Sequence, residues 1–152
     1  MKLKDEDIKQ VIPQREPFIM VDEIEATDGT HAVSTLTVRS ERTAITGDAW
    51  LEKNYFMLPD GTMSESGLIE HIAQSCSALM GCLALDQQLE NPPVGLIGEV
   101  KRFECQRRPQ AGEKVCTTIE FGFTFGNVTI ATGESRVDDE QIAKAQLKIF
   151  VQ

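Results

Sequence analysis

One segment constrains the fold more than any other. Residues 64–86, SESGLIEHIAQSCSALMGCLALD, form the one long stretch with helical periodicity, and it is apolar or small on nearly every side. At about 100° per residue, Ile69, Ile72, Ala73, Cys76, Leu79, Met80 and Leu83 fall on one stripe. The opposite side carries Gln74, Ala78, Gly81 and Cys82 rather than charge. Such a helix must be covered on more than one side, and its small residues let other backbone come close. Ser64 or Ser66 is placed to cap its start, and Leu85-Asp86 marks its approximate end. Within it stands Glu70. A buried ionised carboxylate costs several kcal/mol unless it is paired or put to use, so Glu70 is the residue that demands an explanation.

What surrounds the helix reads as β-structure. FIMVDEIEATDG (18–29) predicts a strand ending in a turn, and THAVSTLTVR (30–39) alternates Ala32, Ser34, Leu36 and Val38 against Val33, Thr35 and Thr37. After Asn91-Pro92-Pro93, GLIGEVKRFEC predicts another strand. VCTTIEFGFTF is expected to set Val115, Thr117, Ile119, Phe121, Phe123 and Phe125 on one face. VTIATGESRV returns, and AKAQLKIFV sets Ala143, Ala145, Leu147, Ile149 and Val151 on one face. One-faced antiparallel strands must bury that face, and the central helix is the one element long enough to cover it. The predicted class is α+β, with an antiparallel sheet curled around a single helix in one domain over 1–152. Residues 1–12 supply a short N-terminal helix or arm, ended by Pro13 and Pro17. Residues 40–63 read as an irregular segment that holds the single Trp and Tyr and a Pro59-Asp60-Gly61 turn.

Composition narrows the function. A net charge of −9 argues against nucleic acid or an anionic membrane as partner. The apolar runs read as short and interrupted, so no membrane span is expected, and MKLKDEDIKQ has no apolar signal-peptide core. The expected location is cytoplasmic. Cys76, Cys82, Cys105 and Cys116 show no CxxC pair or zinc spacing, so no metal is expected. No P-loop or GxGxxG is present. One stretch departs from the acidic balance: residues 99–114 carry Lys101, Arg102, Arg107, Arg108 and Lys114 against three carboxylates.

Three segments carry a family resemblance. Ile12-Pro13-Gln14-Arg15-Glu16-Pro17-Phe18-Ile19-Met20-Val21-Asp22 resembles L-P-H-R-x-P-F-L-L-V-D. Gly67-Leu68-Ile69-Glu70-His71-Ile72-Ala73-Gln74 resembles, in compressed form, the helix start G-V-L-x-x-E-x-x-A-Q. Gly98-Glu99-Val100-Lys101-Arg102-Phe103 with Arg108-Pro109-Gln110-Ala111-Gly112-Glu113 resembles a following strand and turn, G-x-x-x-x-R-F-x-x-x-V-x-P-G-D. In order and spacing these resemble the β-hydroxyacyl-[acyl-carrier-protein] dehydratases, which have the hot-dog fold. The resemblance implies removal of water from a 3-hydroxyacyl thioester in fatty-acid, lipid or polyene synthesis. It implies Glu70 as catalytic acid at the end of an acyl tunnel, with Phe56, Gly67 and Ser77 along that tunnel. It also implies a dimer whose sites draw on both chains. The implied substrate arm is the phosphopantetheine of an acyl carrier protein, or CoA, with no other cofactor. The basic residues of 101–114 then become the docking patch for an acidic carrier protein.

The chain departs from that family at two histidines: the opening one is Gln14 here, and the catalytic one is missing. The family's catalytic His, in a G-H-F-P-G run, lies 14 residues before the helix carboxylate. Here that position is Phe56, in Asn54-Tyr55-Phe56-Met57-Leu58-Pro59. The chain has two histidines, His31 and His71. His71 adjoins Glu70, but helix geometry turns it about 100° away, toward a dimer contact or solvent. Three readings stay open. The chain is a Glu-bearing subunit that needs a His-bearing partner; or a self-sufficient thioesterase or dehydratase using Glu70 with His71, Asp60 or Gln74; or a non-catalytic acyl binder.

Overall fold

In the computed structural model, residues 1–40 and 54–152 are described. The start of the chain forms β1 (Lys2–Lys4) and one 3-10 helix, Asp5–Gln10. Strands β2 (Glu23–Ala26) and β3 (His31–Thr37) precede α1 (Glu65–Asp86). Then come β4 (Gly95–Cys105), β5 (Lys114–Phe125), β6 (Val128–Val137) and β7 (Glu140–Val151). All strand pairs are antiparallel, in the order β1-β2-β3-β5-β6-β7-β4. The sheet curls around α1, which is the hot-dog arrangement. Of the irregular 40–63 segment, residues 41–53 with Trp50 lie outside the described residues.

Helix α1 is capped by Ser64, whose Oγ accepts from the Gly67 N–H at 3.2 Å. Its 22 residues are long and apolar enough to cross a bilayer, contrary to the reading of short interrupted runs. Here the helix is the one the sheet wraps. It buries Leu68, Ile72, Cys76, Leu79 and Cys82, and on a further side His71, Gln74, Ser75 and Ala78. Gly133 of β6 lets the helix sit close, since a Cβ there would stand 2.5 Å from Ile72 Cγ2. Gly81 does the same for the N-terminal arm: a Cβ there would stand 2.7 Å from the Cα and Cβ of Val11, and closer still to its carbonyl oxygen.

The inner face of the sheet is built in rows. Leu36, Val115 and Val137 align in one row; Ala32, Ile119 and Gly133 align in another. Between them runs a row of hydroxyls, Ser34, Thr117 and Ser135, all fully buried. The first row belongs to an apolar cluster at the helix start, and the second row's Ala32 and Ile119 belong to the main cluster around Ile72, Cys76 and Leu79.

Two strand expectations are corrected. The expected strand over 18–29 shrinks to Glu23–Ala26, because helix side chains rather than a neighbouring strand take up the backbone of Phe18 and Met20. Phe123 and Phe125 do not join the inner face. A bulge between Phe121 and Thr124 inserts a residue, so Thr124 pairs with Thr129 and Phe125 with Val128 and the phase reverses. Both rings point out, 72 % and 78 % exposed, and stack at 6.5 Å.

Candidate active site

Glu70 lies half-buried on the first third of α1, and its carboxylate opens onto a cavity of ≈ 480 Å³. One wall is the arm from Gln10 to Gln14. A second is the face of α1 carrying Glu70, Gln74, Ser77 and Gly81. The third is the segment from Leu89 into the start of β4, including Gly95, Leu96 and Ile97. The cavity thus combines a polar end around Glu70 with an apolar stretch along Met80, Ala84 and Leu89.

Gln74 fixes the polar end. Its Oε1 accepts from the Met20 N–H at 2.7 Å, which settles which way the amide faces. Its Nε2 then donates to the Phe18 carbonyl at 2.7 Å and to Glu70 Oε1 at 2.6 Å. The amide is fully committed and almost wholly buried. Glu70, which lines the cavity, thus has one oxygen held by Gln74, and its other oxygen makes no hydrogen bond among the described residues. Gln14 also borders the cavity. Its Oε1 is the one buried side-chain polar atom without a hydrogen-bond partner among the described residues.

The two histidines lie elsewhere. His31 opens β3 at the surface and contacts Asp28 and Thr30. His71 faces neither solvent nor a neighbouring chain, as its place on the helix suggested; it is fully buried against the hydroxyl row. Its Nδ1 lies 2.6 Å from the Met20 carbonyl, which can only accept, so Nδ1 carries the proton. Nε2 therefore accepts from Thr117 Oγ1 at 2.8 Å, and Thr117 accepts in turn from Ser135 Oγ at 2.7 Å. Burial pushes the ring's pKa down from 6.5 to about 4, against the opposing pull of the Met20 hydrogen bond and Asp22.

That shift has a measurable consequence. Between about pH 6.5 and 4 the unfolded chain takes up a proton on His71 that the folded chain refuses. The His71 contribution to stability is therefore whole above pH 6.5 and is lost as pH falls, by up to about 3 kcal/mol. Denaturant midpoints of wild type and His71→Asn, compared at pH 7 and pH 4.5, should show a smaller acid loss in the variant.

The remaining candidate residues are spread out. Asp60 is exposed on its turn, where the hydroxyl and N–H of Thr62, and then Arg108, hold its carboxyl below the usual range. It does not line the cavity with Glu70. Of the three residues set along the tunnel, Ser77 borders the cavity. Phe56 and Gly67 instead pack together with Met63 at the helix start. Arg107 is held by Glu113 through two bonds of 2.7 and 2.9 Å and by Glu140 at 2.9 Å. Arg108 holds Asp60 and Thr62. Lys114 is exposed at the start of β5. The side chains of Lys101 and Arg102, exposed on β4, make no hydrogen bond or ion pair among the described residues. The arm and Gly81 carry no sequence motif that marks them as parts of the site. Only the absence of a side chain at Gly81 signals that something lies against it.

Comparison with known proteins places the architecture in a family. The model of the ApeP-like group, described as ApeP dehydratase, matches residues 6–152. The chain belongs to the ApeP-like dehydratase family. It is 27 % identical over 143 residues to the 3-hydroxyacyl-[acyl-carrier-protein] dehydratase FabZ of Natranaerobius thermophilus, covering 93 % of this chain and 92 % of that one. Among solved structures it resembles the dehydratase heterocomplex ApeI:P from Xenorhabdus doucetiae, with a TM-score of 0.78 at 15 % identity over 95 % of this chain and 90 % of that one. It also resembles the E. coli PaaI protein of the phenylacetic acid degradation operon, with a TM-score of 0.62 at 12 % identity over 84 % and 80 %. These likenesses show the fold. Family membership makes the chain a dehydratase-like hot-dog protein, a hydro-lyase by type.

Proposed function

We propose that this ApeP-like chain is the Glu-bearing subunit of a two-chain dehydratase acting on 3-hydroxyacyl thioesters of fatty-acid, lipid or polyene synthesis. One observation carries the reading: Glu70 opens onto a cavity that neither histidine of the chain reaches. Elimination needs a base for the proton next to the carbonyl and an acid for the departing hydroxyl. Glu70, steadied by Gln74, supplies the acid. The proton donated to the hydroxyl leaves with it as water. The partner's histidine takes the α-proton, and the electron pair of the broken C–H bond forms the double bond.

The fold supports a partner at this place. Strand β4 pairs on one side with β7 and, among the described residues, no strand pairs with its other edge, where Leu96, Ile97 and Val100 are between 37 % and 47 % exposed. An unpaired edge of 11 residues invites a further strand. Its start also forms one wall of the cavity, so a chain seated there would close the site and bring its own residues into it. The likeness to a dehydratase heterocomplex agrees with that assembly. In this reading the acyl group arrives on the phosphopantetheine arm of an acyl carrier protein, and no further cofactor takes part. The acidic carrier docks on the basic segment, where Lys101 and Arg102 make no ion pair among the described residues.

The assembly is tested by purifying the tagged chain from its own cell. The expected result is a second hot-dog chain in equal amount, one that carries a histidine 14 residues before its helix acid. Recovery of this chain alone, as monomer or homodimer, would count against the two-chain reading.

A further inference from the structure

We propose that His71 is a positioning residue for Glu70, acting through the backbone of Met20 and the side chain of Gln74. The proposal rests on the reading above for what Glu70 does, but its geometry stands by itself.

The hydrogen bonds form one directed chain. Ser135 donates to Thr117, Thr117 donates to His71 Nε2, and His71 Nδ1–H donates to the Met20 carbonyl. The N–H of the same Met20 donates to Gln74 Oε1, and Gln74 Nε2 donates to Glu70. Each link has one possible direction. A carbonyl fixes the proton on Nδ1, and an N–H fixes the oxygen side of the Gln74 amide. The nitrogen side is then forced toward Glu70. A second hydroxyl pair locks the helix at this level: Ser75 Oγ donates to the His71 carbonyl at 2.7 Å, so Ser34 Oγ, 2.6 Å away, donates to Ser75. The row Ser34–Thr117–Ser135 therefore serves as a fixed base on three strands from which the carboxylate is aimed.

Met20 is the hinge of the device. It belongs to no strand, and both its polar backbone groups are taken by α1, its carbonyl by His71 and its N–H by Gln74, three residues apart on the helix. Without the His71 donor the carbonyl is orphaned in the core and must turn to find another partner. The Met20 N–H sits in the preceding peptide plane, joined to the carbonyl through the Met20 Cα, so a carbonyl that swings away shifts Met20 against the helix and strains the N–H bond that sets the orientation of the Gln74 amide. His71 itself borders neither the cavity nor the carboxylate, so it acts only through this path.

The test reads the Gln74 side-chain amide by ¹⁵N–¹H NMR. In wild type one Nε2 proton should resonate well downfield of a free glutamine amide, and Glu70→Gln should move it. His71→Leu should return both protons toward free values, whereas His71→Asn, whose Nδ2–H stands where Nδ1–H stood, should keep them in place. In the active two-chain assembly, His71→Leu should lower kcat about tenfold with KM little changed, and His71→Asn should stay within about threefold of wild type. A folded His71→Leu chain with the wild-type Gln74 signal would overturn the proposal. So would a folded His71→Asn chain that has lost it, which keeps the test decisive if the leucine variant does not fold. Should the wild-type assembly show no water loss at all, the functional reading falls, while the amide signals still decide the role of His71.

Discussion

Glu70→Gln should cost the assembled dehydratase about 10²–10⁴ in kcat, the usual value of a positioned acid or base. The amide matches the carboxyl in size and still finds Gln74 as neighbour, but it has no proton to give a departing hydroxyl. The protein should fold and assemble as before, because the Glu70 side chain makes one hydrogen bond among the described residues, to Gln74, whose other two bonds anchor it independently. KM for the 3-hydroxyacyl carrier should therefore change little, and the loss should fall on kcat. Steady-state kinetics on the variant assembly, read as enoyl thioester formed, checks both. A hydrolase reading makes a different forecast: free thiol, not enoyl thioester, would be the product that Glu70→Gln removes.

The second large effect concerns stability. In an open helix, Gly→Ala gains about 1 kcal/mol from propensity. At Gly81 the sign should reverse. The added Cβ would overlap the backbone of Val11, and backbone cannot swing aside as a flexible side chain would. Gly81→Ala should lower Tm, and Gly81→Leu should lower it further, with a cost of about 1–3 kcal/mol, or roughly 2–12 °C for a domain of this size. The same displacement moves the arm that walls the cavity from Gln10 to Gln14, so activity of the folded variant should fall as well. Thermal scans followed by circular dichroism check the order. A Gly81→Ala protein that melts higher than wild type would show that the arm is not held against the helix.

The parts of the fold that the sequence reveals are those set by local periodicity. The helix bounds, the alternation of β3 and β7 and the cap at Ser64 all follow from the spacing of neighbouring residues. The bulge that turns Phe123 and Phe125 outward does not, because a period-2 pattern reads the same whether or not one residue is inserted in the pairing. The 18–22 stretch has strand-like residues, but the Phe18 carbonyl and both backbone groups of Met20 are bonded to helix side chains some 50 residues away in sequence. For the site, the position of Glu70 on a helix of small residues points to a carboxylate with a purpose. The burial of His71 is hidden, since Ser34, Thr117 and Ser135 look like ordinary alternation and meet only when three strands come into register. The arm's contribution is hidden for the same reason, as Val11 and Gly81 are brought together by tertiary packing alone.

The central claim is that Glu70 completes a site whose other half belongs to another chain. It is tested most directly by titrating a His-bearing hot-dog partner from the same cell into this protein and following water loss from a 3-hydroxyacyl carrier thioester. The expected rate is near zero for this chain alone and rises to a plateau at one partner per chain. Full turnover by this chain with no partner added, unchanged by the titration, would contradict it.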